Sequence, residues 1–190
     1  MKEAIEKIFK ESVQVKEATL KANLPAIIKA VEEITETLKN NGKVLLFGNG
    51  GSAADSQHIA AEFIGRFQKE RQSLPAIALT TDTSILTALG NDYGFECIFS
   101  RQIEGLGRPK DMAIGISTSG RSKNVIAGLK QAKKMGLKTL SLTGCGGNEV
   151  AQASDIKLIV PSQVTARIQE SHICLAHVIC ELVEAKFVRS

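Results

Sequence analysis

Two histidines, a glutamate and a glutamine are the side chains best suited to chemistry in this sequence. His58 and Glu62 stand four positions apart, so they share one face of any helix that carries them. Gln169 and His177 stand eight apart, a little over two helical turns, and can also face one side, whereas His172 between them points away from His177. Two imidazoles, a carboxylate and an amide oxygen form a donor set that suits zinc or a similar divalent ion. A single histidine is ordinarily a hydrogen-bonded, half-buried side chain. This chain has only three, however, and His58 and His177 each lie on a face shared with a polar partner.

Two loops offer sites for an anion. The apolar run Val44-Leu45-Leu46-Phe47 leads into Gly48-Asn49-Gly50-Gly51-Ser52 and then into residues 53–64, the pattern of a buried strand, a tight glycine loop and the first turns of a helix. Glycine lets the backbone adopt φ > 0 and lets a ligand approach, and the helix aims unpaired N–H groups and the positive end of its dipole at the loop. Phosphate suits such a junction. The loop lacks the Lys-Ser/Thr ending of a nucleotide P-loop and does not fit G-x-G-x-x-G, so taken alone it fits a ligand-free turn equally well. The second loop, Ser117-Thr118-Ser119-Gly120-Arg121-Ser122, offers four hydroxyls before a helix. Neutral hydroxyls and backbone N–H groups can surround a phosphate monoester without nucleotide or magnesium; a plain helix cap is the alternative. One hydroxyl caps a helix and four exceed that need, which favours a ligand. The lysines at 123, 130, 133, 134 and 138 read as a solvated helix face.

The elements that position these residues follow from apolar periodicity. Ile5, Ile8 and Phe9 form one helical stripe, and Leu24, Ile27, Ile28, Val31, Ile34 and Leu38 a longer one, so two helices precede the first strand and stop at Asn40-Asn41-Gly42. The first is short of apolar partners within its own segment, which points to packing in an oligomer. After the glycine loop and its helix, 75–79 is a short strand, 82–89 a helix, 90–94 a turn and 95–104 a helix. Residues 111–116, 139–142 and 156–160 are strands, 123–135 is a helix, and the final helix runs over about 166–187. Strands alternating with helices imply an α/β three-layer sandwich with a parallel sheet. Five strands predict the flavodoxin-like order 2-1-3-4-5, and both loops then leave the two strands flanking the switch in strand order, where such sheets bind ligands.

The 190 residues suit one domain that buries roughly 70% of its unfolded surface. Net charge is +4, with one tyrosine and no tryptophan, too little basic excess and too few aromatics for nucleic acid. No secretory leader or membrane-spanning run is read in the sequence. The four cysteines, Cys97, Cys145, Cys174 and Cys180, are scattered, which predicts buried free thiols in a reducing cytoplasm.

Taken in order, Phe47 to Asp55 with His58 and Glu62, Gly90-Asn91-Asp92-Tyr93-Gly94, Gly115 to Gly120, and Arg167 to His172 with His177 resemble the sedoheptulose 7-phosphate (phosphoheptose) isomerases of the sugar-isomerase (SIS) fold family. The resemblance runs nearly end to end. It departs mildly at Ala53-Ala54, Ala166 and Cys174, none of which removes a chemical group. It implies that Ser117, Thr118, Ser119 and Ser122 hold the sugar phosphate and that Asn49, Gly50, Gly51, Ser52, Asn91 and Asp92 line the sugar site, with Glu62 and Gln169 also reaching substrate. It further implies one zinc per subunit on His58, Glu62, Gln169 and His177, an acid–base pair of Glu62 and His177, and a homotetramer with sites built between subunits. The implied reaction converts D-sedoheptulose 7-phosphate to D-glycero-D-manno-heptose 7-phosphate for bacterial surface heptose. Replication-initiator-associating proteins and sugar-phosphate-sensing SIS domains share the loops without needing the acid–base residues. Glu62 and His177 therefore favour the enzyme.

Overall fold

The structure, a computed structural model, describes residues 1–144, 146 and 148–188. Its elements in chain order are α1 (Lys2–Lys39), β1 (Val44–Gly48), α2 (Gly51–Ile64), β2 (Ala76–Ala78), α3 (Thr83–Tyr93), a 3₁₀ turn (Phe95–Cys97), α4 (Ile98–Leu106), β3 (Met112–Ser117), α5 (Lys123–Lys134), β4 (Lys138–Gly144), α6 (Asn148–Gln152), β5 (Ile156–Val160) and α7 (Thr165–Glu184). All strand pairs are parallel and the order is β2-β1-β3-β4-β5, as the spacing predicts.

Alternation along β1 assigns the two faces. Val44 and Leu46 pack with α1, α2 and α7, while Leu45 and Phe47 pack with Phe99 and Ile103 of α4 and Val125 and Leu129 of α5. A sheet buried on both sides leaves its ligand-binding features to the loops beyond the carboxyl ends. In the register, Gly48 stands opposite Ile116 and Ser117 opposite Thr143, so the glycine loop and the serine loop leave adjacent strands at one level. The outer strand β5 is closed by Asn23 of α1, whose side chain donates to the Ile159 carbonyl at 2.9 Å and accepts from the Ile159 N–H at 2.8 Å, so this edge offers fewer open groups to another strand.

Three expectations change. The two N-terminal helices are one continuous helix of 38 residues. Pro25 lies within it on the exposed side, where the carbonyl it leaves unbonded meets water and the helix continues. Residues 90–93 are the last turn of α3, not a turn between elements; the stop is Gly94, at φ 86°, a conformation open to glycine. The short helix α6 carried too little periodicity to be read. Of the cysteines expected to be buried, only Cys180 is buried among the described residues; Cys97 is half-buried, Cys174 is exposed, and Cys145 lies outside them.

Candidate active site

Helices α2 and α7 lie side by side on one face of the sheet, and their facing residues meet pairwise. His177 approaches His58, Nε2 to Nε2, at 3.0 Å, with the ring centroids 5.2 Å apart. The same His58 nitrogen lies 3.3 Å from Glu62 Oε1. One ligand-type atom from each of the three falls within 4.8 Å of the others. Tetrahedral ligands at zinc's usual bond length of about 2.0–2.1 Å stand about 3.3–3.4 Å apart, so these separations fit a single ion with small adjustments. Gln169 enters two turns earlier. Its amide packs against Gly51, where an added Cβ would come within 2.4 Å of Nε2. The structure thus gathers His58, Glu62 and His177, and sets Gln169 at the start of the same helix pair without a hydrogen bond to the three. His172 takes no part. It is 1% exposed, and burial pushes its imidazole down to about 4, the Thr143 backbone pulling the other way.

The two loops are joined. Gly50 holds φ 55°, and α2 starts directly after it with no side-chain cap; the Ser52 and Ala53 N–H groups instead donate to the Asn49 and Gly50 carbonyls of the loop, each at 3.0 Å. Asn49 and Asn124 exchange amide hydrogen bonds at 2.9 and 2.8 Å, so the glycine loop is fixed to the first turn of α5. In the serine loop, Ser117 Oγ lies 2.9 Å from Ser122 Oγ and 3.4 Å from Ser119 Oγ. Ser122 occupies the N-cap of α5, yet its hydroxyl makes no cap bond. The hydroxyls converge on one another and Ser122 does not cap the helix, which counts against the plain-cap reading. Thr118 is half-buried beside them, and Ser52 is buried in the first turn of α2. Asn91 and Asp92 sit exposed on the last turn of α3 and bond each other at 2.8 Å; within this chain they do not reach the histidine cluster.

Several supporting residues escaped the sequence reading. Asn124 is an ordinary helix residue in sequence and is revealed only by its contact with Asn49. Asp55, one turn before His58, has a buried Oδ2 without a hydrogen-bond partner, and burial pushes its carboxyl up while His58 opposes. Phe67 lies against His177, with centroids 5.4 Å apart and planes at 40°.

The SIS-domain family model matches residues 8–144. A phosphoheptose isomerase of Aquifex aeolicus is 61% identical over 184 residues, covering 97% of this chain and 96% of that protein. Among solved structures, a phosphoheptose isomerase from Neisseria gonorrhoeae superposes with TM-score 0.91 at 45% identity, covering 97% of this chain and 98% of its own. One from Francisella tularensis gives 0.92 at 39% identity, covering 96% and 97%. With its strand order, its paired loops and its two-histidine, one-carboxylate cluster, the chain belongs to the phosphoheptose isomerases of the SIS fold.

Proposed function

We propose that the protein interconverts D-sedoheptulose 7-phosphate and D-glycero-D-manno-heptose 7-phosphate as an aldose–ketose isomerase supplying bacterial surface heptose. The observation that carries this reading is the convergence of His58, Glu62 and His177 beside two loops suited to a phosphate. Moving a carbonyl from C2 to C1 needs a base that removes a proton from C1 and returns it to C2, and an acid that protonates the C2 oxygen as charge develops there. Glu62 suits the first role and His177 the second. The C1 hydroxyl returns a proton to His177 as the new carbonyl forms, so hydrogen and electrons balance without a redox partner. Ser117, Thr118, Ser119 and Ser122, with the first N–H groups of α5, hold the phosphate, and Asn49, Gly50, Gly51, Ser52, Asn91 and Asp92 line the sugar. His58, Glu62, His177 and Gln169 supply donors suited to zinc, which when bound would polarise the sugar carbonyl.

A homotetramer with shared sites is part of the same proposal, with residues 1–190 as one SIS domain and residues 1–40 in the subunit interface. Ile5, Ile8, Phe9, Val13, Leu20, Leu24 and Ile28 on α1 are at least half exposed, as is expected of a face that another subunit covers. Helix α3 buries none of its residues, so Asn91 and Asp92 are available to a site completed from a neighbouring subunit. Among the described residues no helix is long and apolar enough to cross a membrane, which is consistent with a cytoplasmic enzyme. The test is incubation with sedoheptulose 7-phosphate, with and without chelator, following the aldose product. A protein that binds the sugar phosphate but never turns it over would be a sensing SIS domain instead.

A further inference from the structure

Behind the histidine cluster lies a buried ion pair that the proposed reaction does not use. The side chains of Arg71 and Glu184 are 1% and 2% exposed, with Nε 3.2 Å from Oε1. Arg71 also donates to the carbonyls of Glu62 (2.8 Å), Phe63 (3.0 Å), Gly65 (3.2 Å) and Gln72 (2.9 Å). Two of these, Glu62 and Phe63, belong to the last turn of α2, whose carbonyls have no partners within the helix. The helix that carries His58 and Glu62 therefore ends on a cation supplied from outside it, as its dipole favours. Glu184 holds the other side: its carboxylate accepts from the backbone N–H groups of Phe67, Gln68 and Lys69, each at 2.8 Å. Burial pushes this carboxyl up, but the three N–H groups and Arg71 prevail and hold it below its ordinary value.

Both partners connect directly to the cluster. Glu184 stands seven residues after His177, two turns along one face of α7. The segment it grips carries Phe67, whose ring lies against the His177 imidazole. A loop held only for stability would not need five backbone groups tied to one carboxylate–guanidinium pair and an aromatic ring set on the acid. We infer that Arg71 and Glu184 are positioning residues. They lock residues 65–72 so that Phe67 fixes the ring plane of His177, and they anchor the turn of α2 that bears Glu62.

This inference rests on the isomerase reading for its kinetic readout, so its test needs a second readout that does not involve turnover. The chain has three histidines, and ring-labelled protein gives three sets of imidazole signals, assignable by single substitutions. Phe67→Leu removes the ring and leaves the clamp; Phe67→Tyr restores a ring; Arg71→Lys keeps charge but loses the guanidinium fork. In Arg71→Lys, which keeps the Phe67 ring, the His177 signals should move and those of His172 should not. Phe67→Leu, where loss of the ring current moves the His177 signals by itself, is read by its rate. In both variants kcat should fall about tenfold or more with KM within about twofold, since displacements near 1 Å can cost up to about a hundredfold. Phe67→Tyr should recover most of the rate and the wild-type His177 signals. If Arg71→Lys does not fold, the two Phe67 variants decide. Unchanged His177 signals in Arg71→Lys, or normal kcat with only a lowered melting temperature in Phe67→Leu, would overturn the inference. If wild-type protein does not isomerise the sugar, the isomerase reading fails and the imidazole signals alone decide the positioning role.

Discussion

Gly51→Ala tests Gln169 as a member of the proposed metal set without touching a polar group. Gly51 opens α2 and does not hold a positive φ, so alanine fits the backbone and should stabilise the fold by about 0.4–1 kcal/mol through the unfolded chain. Its methyl, however, would come within 2.4 Å of Gln169 Nε2, where ordinary contact begins at 3.4 Å. The amide is the flexible end of its side chain and must retreat by about 1 Å, a misplacement that can cost a catalytic site about a hundredfold. The expected variant is thus at least as heat-resistant as wild type, poorer in zinc and markedly slower. A double-mutant cycle isolates the route. If the methyl acts through Gln169, adding Gly51→Ala to Gln169→Ala should change neither rate nor zinc content further. Full activity in Gly51→Ala would refute a role for the amide, and additive losses in the double variant would mean that the methyl obstructs the sugar directly.

Four further outcomes are expected. Glu62→Gln should fold normally and lose at least about a hundredfold in kcat, the scale of a general base; near-normal turnover would return the protein to the sensing class. Replacing Ser117 and Ser119 together with alanine should raise KM for the phosphorylated sugar, because each hydrogen bond to a charged group is worth about 1.5–3 kcal/mol; a fall in melting temperature with KM unchanged would restore the helix-cap reading. His177→Ala should lower zinc content by elemental analysis while His172→Ala spares it, and equal losses in both would break the assignment. His172, with its folded value at about 4 against 6.5, favours the neutral ring, so its stabilisation is intact above pH 6.5 and fades as pH falls toward 4. The amount is about 3 kcal/mol at about 1.36 kcal/mol per unit. His172→Gln should flatten urea stability across that window, and an unchanged slope would show that other groups cause the loss.

The sheet was legible because its strands are buried on both faces and read as short apolar runs between loop residues, a signal that does not depend on distant contacts. Helix ends were less legible. The gap between the stripe ending at Phe9 and the one opening at Leu24 reads as a break, and 90–94 reads as a turn. Helix α1 nevertheless runs through the gap, where even Pro25 removes only one bond, and Gly90 does not stop α3. Residue 94 shows the contrast, since there the backbone itself has turned to φ 86° and the helix cannot continue.

At the site, the residues legible in sequence are those whose partners lie within one or two turns. His58 with Glu62, Gln169 with His177 and the serine run all announce themselves by spacing. What spacing cannot convey is which of two such sets will face the other, and the supports are invisible for the same reason. Asn124 lies 75 positions from Asn49 and Glu184 lies 117 from Phe67, and neither residue type is unusual where it stands. Yet these long-range bonds make a cluster of weakly held side chains into a preorganised one. Nε2 atoms 3.0 Å apart cannot both carry protons facing each other; one shared proton, or a cation between them, removes that conflict. The sequence names the groups proposed to react; the contacts that bring them together form only on folding.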